Sequence, residues 1–161
     1  TFDLSEIVFK EKDRLPDLFS EVTAKPKLAY HPPCTLQHDQ KITGVIEQLL
    51  LLAGYDLTPV RDSDICCGSA GTYNILRSEI AQTLRDRKIA NIAQLSPDVI
   101  AAGNIGCITQ IASGTAMPVV HPVELIDWAT GGPKPAGLSA GAQAMPVKGD
   151  LVATVKTSAP A

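Results

Sequence analysis

A chain of 161 residues, 45% of them hydrophobic, is long enough to bury a core of its own as one domain. Its net charge of −3 and isoelectric point near 5.5 argue against the basic surface that nucleic acid or anionic lipid would need. The longest apolar run, Leu49 to Ala53, falls far short of a bilayer span. No positively charged segment followed by an apolar one opens the chain, so no signal peptide is expected. The first residue is not methionine, and the chain is expected to be a piece of something longer.

In chain order, Asp3-Leu4-Ser5-Glu6 reads as a helix start, with Asp3 as N-cap and Glu6 completing a capping box, and a short helix to about Lys10. A charged loop runs through Pro16. Lys27 to His31 reads as a strand stopped by Pro32-Pro33, which leaves Cys34 just past its C-terminal end. Ile42, Val45, Ile46, Leu49, Leu50 and Ala53 recur at helical spacing, with Gly54 as terminator. Leu57 to Val60 is a second strand, followed by Asp62-Ser63-Asp64 as turn residues and then by Ile65-Cys66-Cys67-Gly68-Ser69-Ala70-Gly71-Thr72-Tyr73. Ser78 is expected to cap a long helix over about 79–95, with Ile80, Ala81, Leu84, Ile92 and Leu95 facing inward and Arg85, Asp86, Arg87 and Lys88 on a solvated face. Asp98 to Ala102 is a third strand, and Gly103-Asn104-Ile105-Gly106 turns the chain so that Cys107 opens a short helix towards Ser113. Met117 to His121 is a fourth strand; Pro122 starts a helix that carries Val123, Leu125, Ile126 and Trp128 and ends by Gly131-Gly132.

This alternation predicts an α/β fold with a mostly parallel sheet and flanking helices over residues 1–130. Residues 131–161, rich in Gly, Pro and Ala and without a sustained period, read as a flexible tail.

Cys34, the pair Cys66-Cys67, and Cys107 each follow a predicted strand. In a parallel sheet the C-terminal strand ends share one edge, where ligands sit, so the four thiols are expected to cluster there. Neighbouring side chains diverge, so both Cys66 and Cys67 can serve one centre only on a sharply bent backbone, for which Gly68 and Gly71 give freedom. Four thiols in a chain of this size suit a reducing, cytoplasmic setting better than a disulfide framework. Four thiolates suit zinc or an iron–sulfur cluster, and a wide loop-borne set without a Cys-x-x-Cys knuckle leans towards iron–sulfur. A helix N-terminus at Cys107 adds backbone N–H groups that favour thiolate. Against this, Cys34 or Cys107 taken singly could be a small buried hydrophobe, and Cys66 with Cys67 a vicinal disulfide, which is strained and uncommon.

The spacing Cys34-x31-Cys66-Cys67-x36-Asn104-x2-Cys107 resembles that of the cysteine-rich "CCG" domain. That domain is shared by heterodisulfide reductase, the lactate-utilisation iron–sulfur protein and the glycolate oxidase iron–sulfur subunit. The family pattern ends in Cys-x-x-Cys, and Asn104 stands at its first cysteine. Three segments are similar to the second such domain of the glycolate oxidase iron–sulfur subunit, Asn104 included: His31-Pro32-Pro33-Cys34-Thr35-Leu36-Gln37-His38, Cys66 to Asn74, and Gly103 to Cys107. The resemblance covers about 4–129.

The resemblance implies Cys34, Cys66, Cys67 and Cys107 as ligands of an iron–sulfur cluster, most simply [4Fe-4S], in a glycolate dehydrogenase complex that oxidises glycolate, or D-lactate, to the oxo acid. Electrons would pass from a flavin subunit towards a quinone or other acceptor. A ferredoxin-type domain would precede this one in the full-length protein. No residue is expected to be a nucleophile, and the chain is not expected to oxidise glycolate alone. The implied location is cytoplasmic, peripheral on the inner membrane. Gly68, Asn104, His31 and His121 are the residues expected to support the ligands, Asn104 by bonding a cluster sulfur or by bracing its turn; His38 reads as exposed. Two alternatives stay open: a zinc-bound or metal-free module that docks the flavoprotein, and a dithiol reductase using Cys66 and Cys67.

Overall fold

Strand β1 (Lys27–His31) lies inside a four-stranded sheet, in a computed structural model that describes residues 2–15, 17, 19 and 25–139. The other strands are β2 (Asp56–Thr58), β3 (Val99–Ala102) and β4 (Val119–Val120), in the order β2-β1-β3-β4, every neighbouring pair parallel. The α/β reading with a parallel sheet and flanking helices is therefore correct. The register sets His31 beside Ala102 and Ala29 beside Thr58, so β1 and β3 end level with each other.

Parallel strands need crossovers, and these supply α2 (Val45–Leu52), α3 (Tyr73–Leu76), α4 (Ser78–Ala93) and α5 (Ile105–Ala112), while α1 (Leu4–Lys10) precedes the sheet and α6 (Pro122–Ala129) and α7 (Ala136–Ser139) follow it. Side chains alternate across a strand, so β1 and β3 each feed two core layers. Leu28, Tyr30, Val99 and Ala101 meet Leu49 and Leu50 of α2 and Leu125 of α6 on one face. Ala29, Ile100 and Ala102 meet Ile92 of α4 and Ile111 of α5 on the other, together with Cys67 and Cys107. Alternation sends His31 to this second face. The smallness of Ala29 and Ala102 there leaves room at the strand ends.

Several boundaries move for identifiable reasons. The second helix starts at Val45, not Ile42, because Gly44 takes φ +75 and cannot belong to a right-handed helix. Strand β2 stops at Thr58 because Pro59 has no N–H for the ladder. β4 shortens to two residues, although the Pro118 carbonyl still accepts from the Ile100 N–H at 2.9 Å. Ser78 is not a cap: α3 runs straight into α4 through Arg77, at φ −132 and ψ 54, with no side-chain cap. Asp3 and Glu6 do form their capping box on α1.

Two expectations on α4 are overturned. Ile80 is exposed rather than inward, and Lys88 is buried, at 1% exposure, rather than solvated. Lys88 falls on the stripe of Ala81 and Ile92, and its flexible stem carries the ammonium under the loop after β2, where it donates to the Asp62 carbonyl. Of the expected tail, residues 140–161 lie outside the described residues. Before them, α7 packs Leu138 against the first core layer. Among the described residues no helix is long and apolar enough to cross a membrane.

Candidate metal centre

Three segments reach the C-terminal edge of the sheet at β1 and β3. The first is the end of β1 with the buried Pro32-Pro33 and a single π-helical turn over Thr35–Asp39, closed by Gln40 N–H donating to the Thr35 carbonyl at 3.1 Å. It leaves Cys34 half-buried at its start. The second is the loop after β2. Asp62 sits there at φ +53, and its carboxylate accepts from Arg87 at 2.7 Å; that guanidinium also holds the Asp62 carboxyl below its ordinary range. With Lys88 below and Asn91 donating to the Arg61 carbonyl at 3.1 Å, α4 latches the loop in place. The third is the start of α5.

Gly68, at φ +88, makes the bend that lets two adjacent cysteines face one region. A Cβ on it would stand 2.3 Å from the Ala81 carbonyl oxygen, so the loop runs hard against α4. Its N–H donates to the Cys66 sulfur at 3.3 Å. Gly106 has a similar constraint: a Cβ there would meet the Ser69 hydroxyl at 2.5 Å. The double-cysteine loop and the α5 start therefore touch through Ser69 and Gly106.

The thiols do converge. Cys67 and Cys107 are buried, at 0% and 7% exposure, and their sulfurs lie with one ring nitrogen of His31 within 4.8 Å of one another. Cys34 lies against Cys66 and senses Cys67, and none of the four is in a disulfide. Burial, then the neighbouring Cys66, pushes the Cys34 thiol up to about 11. Cys67 is held down to about 4, first by the Cys107 thiol directed at it and, against burial, by the His31 imidazole and the Ser69 N–H. Cys107 is raised by the same contact with Cys67 and by burial. Without a cation only one thiolate of the Cys67–Cys107 pair is favourable. Four thiolates here require positive charge in their midst, as a metal or cluster supplies.

The supporting residues divide. Asn104 braces rather than ligates: at φ −143 and ψ 133 it is the N-cap of α5, its side-chain oxygen accepting from Gly106 N–H at 2.9 Å and Cys107 N–H at 3.4 Å. Asn104→Ala is expected to cost about 1 kcal/mol in a denaturant titration, and Asn104→Asp to recover most of it. Equal loss in both variants would show that the amide acts otherwise than as a cap. His121 caps α6, its Nδ1 accepting from Val123 N–H at 3.2 Å, and lines a separate cavity of about 200 Å³ with Pro33, Gly103 and Ile126. It is not among the groups gathered with Cys67 and Cys107. His38 is exposed, with its Nε2 3.4 Å from the Asp64 carbonyl. His31 alone among the three histidines joins the thiols. Sequence reading gave no role at the site to Lys88, Ser69 or Gly106. Lys88 was findable, since it stands seven residues after Ala81 and four before Ile92 on one helical stripe; Ser69 and Gly106 carry no such signal.

The profile of the family described as "Cysteine-rich domain" (CCG) matches residues 28–112, the segment that holds all four thiols and His31. The glycolate oxidase iron-sulfur subunit of Escherichia coli K12 is 47% identical over 103 residues, 64% of this chain and 25% of that protein. Lactate utilization protein A of Bacillus licheniformis is 26% identical over 114 residues, 65% of this chain and 47% of that protein. The protein of the same name from Oceanobacillus iheyensis is 28% identical over 114 residues, 65% of this chain and 46% of that protein. The chain thus spans between a quarter and about half of the length of these relatives.

Proposed function

Because this chain belongs to the cysteine-rich (CCG) domain family, we propose that it is an electron-transfer module whose Cys34, Cys66, Cys67 and Cys107 hold an iron–sulfur cluster of the [4Fe-4S] type. It serves as part of the iron–sulfur subunit of a complex that oxidises glycolate, or D-lactate, at a flavin subunit. The bound cluster would accept and release single electrons between that flavin and a quinone or other acceptor. A ferredoxin-type domain elsewhere in the subunit would lie on the same route, and the complex would sit on the cytoplasmic face of the inner membrane.

The observation that carries this reading is the gathering of four free thiols from three segments at one sheet edge, Cys67 with Cys107 and Cys34 with Cys66. The likeness to an iron–sulfur subunit supports the choice of metal. The residues around the thiols fit the task. Gly68 N–H donates to a ligand sulfur, Lys88 sets a cation near Cys67 and Cys34, and Asn104 fixes the helix start that carries Cys107. Burial excludes water from Cys67, which favours a small, fast redox change over side reactions. The exposed Ile75 and Leu76 follow the double-cysteine loop, and the exposed Ile105 precedes Cys107, so apolar side chains flank both ligand segments where a partner would dock.

Purification without oxygen, with metal analysis and EPR of reduced and oxidised samples, tests the reading. About four irons per chain and absorption near ~400 nm are expected. One zinc in a colourless protein would overturn it in favour of a structural module, a reading that the mixed nitrogen–sulfur set of His31, Cys67 and Cys107 also fits.

Lys88→Met keeps the side-chain length and removes the charge. Removing a cation beside an anionic centre disfavours adding an electron, so the reduction potential is expected to fall in a potentiometric EPR titration. An unchanged potential would limit Lys88 to holding the loop.

A further inference from the structure

We propose that His31 is itself a ligand of the centre, so that one donor is an imidazole nitrogen and the thiols do not hold the metal alone. This rests on the reading above that a metal centre occupies these thiols, and it holds for iron–sulfur or zinc.

His31 is the last residue of β1, at 1% exposure, and both of its ring nitrogens lack a hydrogen-bond partner. Among the described residues only Tyr30 Oη shares that condition. A buried imidazole must carry at least one N–H donor and, when neutral, one acceptor, and leaving both unmet is expensive. Something absent from the polypeptide therefore faces this ring. Its position says what: a ring nitrogen lies within 4.8 Å of the Cys67 and Cys107 sulfurs, all three groups being buried. His31 is directed at Cys67 and helps to hold its thiol below the ordinary range, yet neither ring nitrogen reaches a hydrogen bond of good geometry. Coordination through the nitrogen that faces the two sulfurs satisfies it.

Asn104 cannot fill the same role, because its side-chain oxygen already accepts two backbone N–H groups. His121 and His38 are occupied elsewhere. The backbone also holds His31 firmly. Pairing with Ala102 locks the end of β1, Pro32 and Pro33 follow it, and the small Ala29 and Ala102 make space on that face. The ring is thus placed by the sheet itself, whereas the two cysteines beside it are placed by a loop and a helix start.

The test begins with metal content of anaerobically purified wild-type protein. Protein with neither iron nor zinc would overturn this proposal and the metal reading together. With an EPR-active cluster, pulsed EPR of protein labelled with ¹⁵N-histidine should show a strongly coupled histidine nitrogen; with zinc, X-ray absorption should show one nitrogen scatterer among sulfurs. His38→Ala and His121→Ala should leave either signal unchanged. His31→Cys should keep the metal, lose the nitrogen signal and, for a cluster, lower the reduction potential, because thiolate replaces a neutral donor. Wild-type protein that holds its metal yet shows no strongly coupled histidine nitrogen would overturn the proposal alone. A weak coupling, as from a ring that only hydrogen-bonds a sulfur, would do the same. The labelled wild-type measurement needs no variant to fold.

Discussion

Cys67→Ser protein purified without oxygen is expected to be colourless and almost free of iron, yet folded by far-UV circular dichroism. Cys67 is the thiol in contact with most of the site. It faces Cys107 and His31, and its charge is felt by Cys34 and Lys88. The Cys107 thiol directed at it holds the Cys67 thiol below the ordinary range, which favours the thiolate that a metal takes up. A serine hydroxyl ionises far less readily and is a harder donor that suits iron–sulfur assembly poorly. Losing a residue that merely supports a metal ligand costs roughly 10–100-fold in affinity, and this loss should exceed that. The check is iron and acid-labile sulfide per chain, with the visible spectrum. A Cys67→Ser protein with wild-type iron would place the centre elsewhere. The side chain sits in the second core layer, but the swap of sulfur for oxygen changes its volume little, so unfolding should not obscure the result.

Gly68→Ala is the second large effect, and it acts on the fold. At φ +88 an alanine pays the left-handed penalty of about 1–2 kcal/mol. In addition its Cβ would lie 2.3 Å from the Ala81 carbonyl oxygen and 3.0 Å from the Ala81 Cα. That carbonyl cannot easily retreat, since it already accepts from Gln110 Nε2 at 3.2 Å in a buried setting. Forcing atoms into a packed contact adds about 1–3 kcal/mol. Together these amount to about 2–5 kcal/mol, or a melting point roughly 10 °C lower. Gly71→Ala isolates the first part: φ is +61, but nothing lies within 4 Å of the added carbon. It should cost only about 1–2 kcal/mol. Equal melting points for the two variants would show that the loop moves off α4 freely.

These contrasts mark what a sequence carries and what it does not. The run Lys27 to His31 is legible as a strand because apolar residues end in two prolines, and the structure gives the same residues. The helix starts at Asp3 and Pro122 are legible because capping boxes and first-turn prolines are local chemistry. The meeting of the thiols was inferable from their places after successive strands in a parallel sheet. What lies between segments was not. The collision awaiting a Cβ at Gly68 depends on Ala81, and that at Gly106 on Ser69. That both ring nitrogens of His31 go without a hydrogen bond depends on how three segments pack around it, which no periodicity encodes. Lys88 went astray for a different reason, because charge was read as exposure where a long stem can bury its head under a carbonyl.

The strand order also fixes a sequence of events during biosynthesis. β1 leaves the ribosome before its neighbour β3, which begins at Val99, and the last cysteine, Cys107, follows Cys34 by 73 positions (107 − 34). A nascent chain that has exposed only its first three cysteines has no docked α5 and no closed wall behind Cys67. A centre shared by all four thiols could therefore be completed only after the chain has grown past residue 107, around a thiol that ends with 0% exposure. On the proposed function, iron starvation should therefore leave a population of chains that have folded around an unfilled site.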